Sequence, residues 1–172
     1  MLPPASGASA SVRHMPAREG SFEVSSRLAA PAAEVWAFVT TAEGVNAELM
    51  PIVRMTVPRG LGGDFGIGDV VAPRRLGRSW LLLGGLIPFD WDDIGIERIG
   101  PGFAFSERST MLSQRAWHHD RRVEPLGERA CTVTDTIRFV PRLPVLAPLL
   151  RPVFQQTFRH RHRRLRRRYG AA

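Results

Sequence analysis

Residues 22–40 read FEVSSRLAAPAAEVWAFVT, and the pattern of this stretch changes at a single proline. Before Pro31, apolar side chains such as Phe22 and Val24 alternate with polar ones, which predicts a strand. Proline is well placed in the first turn of a helix, and the apolar residues of 32–40 recur at helical spacing. We therefore predict that the first strand leads directly into a short helix.

The chain continues with one more short helix and a long series of strands. The second helical piece is predicted at 46–50 and ends before Pro51, because proline disfavours helical geometry in the residue that precedes it. Alternating runs predict further strands at about residues 53–57, 69–75, 79–87, 91–99, 102–110, 114–124 and 130–140. Turn sequences such as Gly100-Pro101-Gly102 separate them, and links this short favour an antiparallel meander.

Beyond Pro144, apolar residues recur at spacings of three and four, which predicts one long C-terminal helix. Its end, residues 159–168, contains seven arginines and no acidic residue. These arginines account for seven of the formal net charge of +8, so the rest of the chain is nearly neutral. We expect the first half of the helix to pack against the sheet. The second half should present a basic surface formed by Arg159, Arg163, Arg164, Arg166, Arg167 and Arg168.

Length and composition favour a single domain. The chain has 172 residues, 44% of them hydrophobic, which is enough for one sizeable core. Residues 1–20 are rich in Pro, Ala, Ser and Gly and lack the apolar stretch of a secretory signal, so we expect a flexible leader before a domain at 21–172. Cys131 is the only cysteine, which excludes an intramolecular disulfide framework and favours a buried thiol in a cytoplasmic protein.

The order of these elements resembles the helix-grip fold of the START-like, or SRPBCC, superfamily. The stretch at 22–40 is similar to its opening signature, in which a strand meets an Ala-Pro step and a helix that carries Val-Trp. The later segments FAFSERSTML, RAWHHDRRVEP and TVTDTIRFVPR resemble its central and late strands, and the resemblance covers residues 21–169. It implies an α+β fold in which a curved antiparallel sheet wraps the long C-terminal helix.

The same resemblance implies a cavity between sheet and helix for a small hydrophobic or amphiphilic molecule. The superfamily includes lipid carriers, plant allergens that bind small molecules, polyketide aromatase/cyclases and oxygenase subunits, so the fold does not fix the function. We expect a monomer or dimer that binds such a ligand without a metal or cofactor of its own. None of the histidine pairs has metal-ligand spacing, and the glycine-rich residues 60–68 predict a loop that could flank the mouth of the cavity.

Alternation in the late strands places three ionisable residues on inward, apolar faces. Glu107 shares its face with Phe105, His119 with Trp117, and Asp135 with Ile137. Together with the C-terminal helix, these faces predict a cavity lined by Phe105, Glu107, Trp117, His119, Asp135, Ile137 and Phe154.

The turns between these strands predict how the ionisable residues pair. A turn near residue 112 would place Glu107 opposite Trp117, and a turn centred near residue 127 would place His119 opposite Asp135. A slip of one residue in either hairpin would move every side chain to the other face of the sheet.

Three functions are compatible with Glu107, His119 and Asp135. They can form a structural network in which a carboxylate holds the buried histidine and Glu107 binds Arg121 or a backbone amide. They can instead orient a polar group of a ligand, or transfer protons as in a polyketide cyclase. No catalytic residue is assigned. Non-specific binding of nucleic acid or of an anionic membrane by the basic surface ranks third, and the nearly neutral remainder of the chain argues against specific nucleic-acid recognition.

The longest apolar run, residues 80–91, also has two interpretations. It is too short and too interrupted by glycine and proline to cross a bilayer. We favour a strand that is covered on both sides, as continuous apolar runs often are. The alternative is a segment at the entrance of the cavity, whose leucines would dock on an anionic membrane together with the arginine-rich helix end.

Overall fold

The computed structural model describes residues 19–63 and 65–172, which form an α+β fold. Seven strands in this part of the chain form one antiparallel sheet, in the order β1-β7-β6-β5-β4-β3-β2. They are β1 (Gly20–Leu28), β2 (Val53–Met55), β3 (Arg74–Leu83), β4 (Ile87–Ile99), β5 (Phe103–Met111), β6 (Gln114–Pro125) and β7 (Cys131–Pro141). The helices are α1 (Ala32–Val39), α2 (Ala42–Leu49) and α3 (Ala147–Tyr169). The sheet curls around α3, so the predicted helix-grip fold is confirmed. Of the predicted leader, residues 1–18 lie outside the described residues, and Gly20 already belongs to β1.

The strand-to-helix step at Pro31 anchors one end of the core. Pro31 occupies the cap position of α1, as the sequence predicts. Leu28 before it and Val35 after it are both fully buried, in a cluster that includes Val133 of β7 and Leu165 of α3. The opening stretch therefore joins β1 and α1 to β7 and the far end of α3 in one apolar cluster.

Helix α2 begins four residues earlier than predicted. The Thr41 side chain accepts a hydrogen bond from the Gly44 backbone N–H at 3.0 Å and caps the helix there. Gly44 lies inside the helix. A side chain does not fit at this position, because a Cβ would come within 1.9 Å of the Phe38 carbonyl oxygen. Glycine at this position therefore permits the close approach of α1 and α2.

The apolar run at 80–91 is the tip of the β3–β4 hairpin. The predicted strand at 79–87 ends too late, because β3 ends at Leu83 and Gly84 and Gly85 turn the chain with φ of 59° and 80°. The predicted strand at 69–75 is wrong, because a short 3-10 helix spans Ile67–Asp69 and β3 begins only at Arg74. The favoured interpretation of this run, a strand covered on both sides, is also wrong. Leu86 is 84% exposed, and Ile87 beside it is exposed as well.

The first half of α3 packs against the sheet through Phe154 and Phe158, as expected, but the second half is buried as well. Leu149 in its first half is 66% exposed, whereas Leu165 in its second half is 1% exposed. The second half is buried because its side chains reach β1 and α2: His162 Nδ1 lies 2.9 Å from the Ser26 hydroxyl, and Arg161 binds Glu48 at 2.8 Å. No helix among the described residues is long and apolar enough to cross a membrane.

Several tail arginines therefore stabilise the fold. Arg164 donates to the Ala47 carbonyl oxygen at 3.0 Å, Arg166 donates to the Ser26 hydroxyl, and Arg168 stacks on the Phe38 ring. The predicted basic surface is thus only partly directed to solvent. Its members that lie free of these contacts are the exposed Arg159, Arg163 and Arg167.

Candidate functional site

The strands bring Glu107, His119 and Asp135 together, but the residues that face each other across the strands are not the predicted pairs. Glu107 pairs with His119 across β5 and β6, while His119 pairs with Ile137 and Arg121 with Asp135 across β6 and β7. Both predicted registers are therefore wrong by two residues, because each turn is centred one residue later than expected. A shift of two residues leaves every side chain on its original face, so the residues still converge.

His119 lies at the centre of this cluster. Its Nε2 is 2.8 Å from Asp135 Oδ1, and its Nδ1 is 3.5 Å from Glu107 Oε2. The Ser109 hydroxyl donates to Glu107 Oε1 at 2.7 Å. The edges of two aromatic rings, Phe105 and Phe158, complete the surroundings of the imidazole.

These contacts favour the charged forms of both Glu107 and His119. Burial alone would lower the pKa of His119, but the Asp135 and Glu107 carboxylates outweigh burial and raise that pKa above its usual value. Burial would conversely raise the pKa of Glu107, but hydrogen bonding to His119 lowers it. Both shifts favour the ionised forms, an imidazolium at His119 beside a carboxylate at Glu107.

A second, fully buried layer of charge lies behind His119. Arg121 donates to both carboxylate oxygens of Asp135 at 2.7 Å and to both oxygens of Glu48 at 2.8 and 2.9 Å. Arg161 of α3 binds the same Glu48 at 2.8 Å. Burial would raise the pKa of Asp135, but the Arg121 guanidinium holds it well below the usual range. This layer ties β6, β7, α2 and α3 together.

The second layer corrects one prediction and adds residues that sequence reasoning missed. Arg121 binds Asp135 and Glu48, not Glu107, for which it was one of the two partners predicted in the structural interpretation. His162, dismissed as a metal ligand, bridges Asp135 Oδ2 and the Ser26 hydroxyl. An arginine on an inward strand face was the available signal, because a buried guanidinium requires acidic partners.

A cavity of about 320 Å³ lies between the sheet and helices α2 and α3. Most of its wall is apolar, and five of the seven predicted residues line it: Phe105, Glu107, Trp117, His119 and Phe154. The glycine-rich loop contributes to the wall through Leu61, Phe65 and Ile67.

Asp135 and Ile137, the other two predicted lining residues, do not reach the cavity. Asp135 is fully enclosed by Arg121, His119 and His162, and Ile137 packs in the apolar cluster that contains Phe158. Within the described residues, no group of three His, Cys, Asp or Glu side chains is arranged to hold a metal ion.

The cavity wall also contains two acidic residues that sequence reasoning missed, Asp90 and Asp92 of β4. Asp92 is 5% exposed, and its Oδ1 has no hydrogen-bond partner among the described residues. Burial, followed by the neighbouring Glu107 carboxylate, raises the pKa of Asp92 well above its usual value. Alternation with Ile94 and Ile96 on the inward face of β4 was the signal that could have placed both residues.

We expect Asp92→Asn to stabilise the protein at neutral pH by about 1 kcal/mol or more, because it removes a carboxyl group whose ionised form is disfavoured by burial. A carboxyl pKa that is raised on folding lowers the free energy of unfolding as pH rises from about 4 through the folded-state pKa. Thermal unfolding of wild type and variant at a series of pH values measures this difference.

The matched control is Asp93→Asn on the opposite face of the same strand. Hydrogen bonding to Arg75 lowers the pKa of Asp93, so its removal should be neutral or slightly destabilising. If Asp92→Asn destabilised the protein at neutral pH more than Asp93→Asn does, the carboxyl of Asp92 would be a stabilising group and the assignment would be wrong.

Solved structures share this fold at low sequence identity. A START superfamily protein from Mycobacterium smegmatis has a TM-score of 0.64 and 12% identity, over 87% of this chain and 96% of that one. The Zhui aromatase/cyclase from Streptomyces sp. R1128 has a TM-score of 0.62 and 16% identity, over 86% and 91% of the two chains. Norcoclaurine synthase from Thalictrum flavum, in complex with dopamine and hydroxybenzaldehyde, has a TM-score of 0.56 and 9% identity, over 86% and 84%. The predicted resemblance to the START-like superfamily is confirmed at the level of the fold.

Comparison of sequences finds one matching family and no curated protein. The family described as "Domain of unknown function (DUF8410)" matches residues 26–169, from β1 to the end of α3. The chain therefore belongs to the DUF8410 family, and it has the helix-grip fold of the START-like superfamily.

Proposed function

We propose that the protein binds a small, largely apolar molecule in the cavity and that Glu107 and His119 orient a polar group of this ligand. The cavity itself is the observation that supports the proposal. Its volume of about 320 Å³ suits a small molecule, and its wall is apolar apart from a few converging polar groups. Structural neighbours named for aromatase/cyclase and norcoclaurine synthase activities have the same fold, which hosts small hydrophobic ligands.

We expect Thr157→Trp to lower the amount of co-purified ligand at least about tenfold, because the indole would occupy the cavity that Thr157 lines. Native mass spectrometry of protein purified at high salt measures the bound mass before and after denaturation. Gln156→Trp is the control, since Gln156 is exposed and outside the cavity wall. Equal amounts of bound ligand on the two variants would contradict binding in this cavity.

A second candidate function is acid–base catalysis of the polyketide cyclase type. The observation that favours it is the Glu107 and His119 ion pair in the wall of the cavity, where a cationic imidazole could donate a proton to a bound carbonyl oxygen. Asp135 would hold the ring in place. Liquid chromatography coupled to mass spectrometry separates the two functions, because a carrier releases the molecule unchanged after prolonged incubation. A cyclase releases an isomer of different retention time or a product that has lost water.

We also propose that the mouth of the cavity docks on an anionic membrane. The cavity is framed by exposed apolar residues of the loop before β2, the β3–β4 hairpin and α3, which we call the apolar rim: Ile52, Leu83, Leu86, Ile87, Phe89 and Val153. Exposed apolar patches of this kind mark interaction sites. The rim thus takes the place of the helix end as the candidate membrane contact.

The charges beside the apolar rim suit a negatively charged partner. The three segments that form it, residues 50–63, 79–89 and 142–160, contain no acidic residue. They do carry five exposed arginines: Arg54, Arg59, Arg142, Arg151 and Arg159. Arginines close to an anionic bilayer each contribute on the order of 1 kcal/mol to binding, so an apolar rim flanked by arginine fits such a surface.

A further inference from the structure

We propose that the ligand carries a protonated amine and that Asp92, with Asp90 beside it on β4, selects for this group. The inference rests on the proposed binding function and names the chemical class of the ligand. It follows from the pairing of the buried charges, which is complete except at one end of the cavity.

Every other buried acid of the described chain has a cationic partner. Glu48 binds Arg121 and Arg161, Asp135 binds Arg121, and Glu107 faces His119. Neither Asp90 nor Asp92 forms such a pair within 4.0 Å in the residues that the structure describes. Because a buried carboxylate without a cationic partner is costly, these two acids leave a position for a cation.

The two acids differ in how their oxygens are satisfied. Asp90 accepts hydrogen bonds from the backbone N–H groups of Trp91 and Ser113 and from the Ser113 hydroxyl, all of them protein donors that hold the carboxyl in place. Asp92 lines the cavity, is almost fully buried and has an oxygen that the described chain leaves unpartnered. Asp92 is therefore the carboxyl whose hydrogen-bonding capacity the described chain leaves open, and its enclosed Oδ1 would turn toward the cavity to meet a ligand.

The remainder of the wall suits the apolar body and the charge of an amine. Four aromatic rings of the wall, those of Phe105, Trp117, Phe154 and Phe158, offer faces and edges to a ligand. Aromatic faces attract cations, and an ammonium group offers three donors and no acceptor. An ammonium therefore complements acceptor oxygens, whereas a ligand carboxylate would be repelled.

Release of a proton on ligand binding would distinguish this proposal from binding of an uncharged ligand. Since burial and Glu107 favour the protonated form of Asp92, an arriving ammonium would displace that proton to solvent. The other titratable or charged side chains that line the cavity are Asp90, Glu107, His119 and Arg161. His119 and Arg161 are already paired with Glu107 and Glu48. We therefore expect the carboxyl of Asp92 to be the group that releases a proton when the amine binds.

The test compares two probes of equal shape, 2-(naphthalen-1-yl)ethylamine and 2-(naphthalen-1-yl)ethanol, by isothermal titration calorimetry with the full chain. We expect the amine to bind at least about tenfold more tightly than the alcohol. Titration in buffers of different ionisation enthalpy should show protons released with the amine and none with the alcohol. In Asp92→Asn the preference should fall below about threefold and the proton release should disappear. Asp93→Asn should retain both.

The other outcomes of this titration contradict either the inferred class of ligand or the proposed binding function. If the alcohol binds as tightly as the amine to the wild-type protein, the inference on ligand class is overturned and small-molecule binding stands. A preference that survives in Asp92→Asn also overturns it, because another group would then be responsible. If neither probe binds, the proposed binding function itself is contradicted.

Discussion

Arg121→Met is expected to lower the free energy of unfolding by about 3–5 kcal/mol, which is a large part of the stability of a domain of this size. Arg121 is fully buried and donates to both carboxylates of the second layer, Asp135 and Glu48. Methionine matches the aliphatic part of the side chain, so packing is largely retained. The loss arises because two buried carboxylates lose the guanidinium they share, and Arg161 and His162 cannot replace it for both.

Chemical denaturation at neutral pH measures this loss, and the chain offers a matched control. Arg122 is the next residue of β6 and points to the exposed face, so Arg122→Met should change the free energy of unfolding by less than about 0.5 kcal/mol. A similar stability of both variants would show that the second layer does not hold the fold together.

The same variant should change the acid response of the protein. Arg121 and Arg161 lower the pKa of Glu48 against the opposing effect of burial, and Arg121 does the same for Asp135. A carboxyl pKa that is lowered on folding adds stability above its unfolded value of about 4, and this stability is lost as pH falls through the lowered folded-state pKa. The wild-type protein should therefore lose stability between neutral and acidic pH, and Arg121→Met should lose much less.

Sequence patterns predicted the fold because they depend on local chemistry. Pro31 separates a period of two from a period of three to four, and that change alone places β1 and α1. Alternation likewise fixed the inward faces of β5, β6 and β7 without knowledge of the turns. A register error of two residues did not matter to the faces, which is why Glu107 and His119 meet although their predicted partners were wrong.

The rest of the site depends on contacts between residues that are distant in the sequence. Glu48 reaches Arg121 and Arg161 only because α2 packs beside α3, and no periodicity in either segment indicates this pairing. The hairpin at residues 80–91 illustrates another limit. A continuous apolar run does not distinguish a covered strand from an exposed tip, and only the positive φ angles of Gly84 and Gly85 decide between them.

Leu86→Asp is expected to weaken binding to anionic vesicles at least about thirtyfold. Leu86 lies at the tip of the apolar rim, and burial of a leucine in the interfacial region contributes roughly 2 kcal/mol, to which the repulsion of the new carboxylate by anionic lipid adds. The side chain is exposed in the free protein, so the fold should not change. Flotation with vesicles of phosphatidylcholine that contain one third phosphatidylserine measures the bound fraction.

Two comparisons make this experiment specific to the apolar rim. Leu126→Asp introduces the same charge at an exposed leucine in the loop between β6 and β7, away from the three segments of the rim, and should leave vesicle binding unchanged. Vesicles of phosphatidylcholine alone should bind the wild-type protein more weakly, because the arginines beside the rim then lack anionic partners. Docking through the rim is refuted if Leu86→Asp and Leu126→Asp float to the same extent as the wild-type protein, or if the wild-type protein binds neither kind of vesicle.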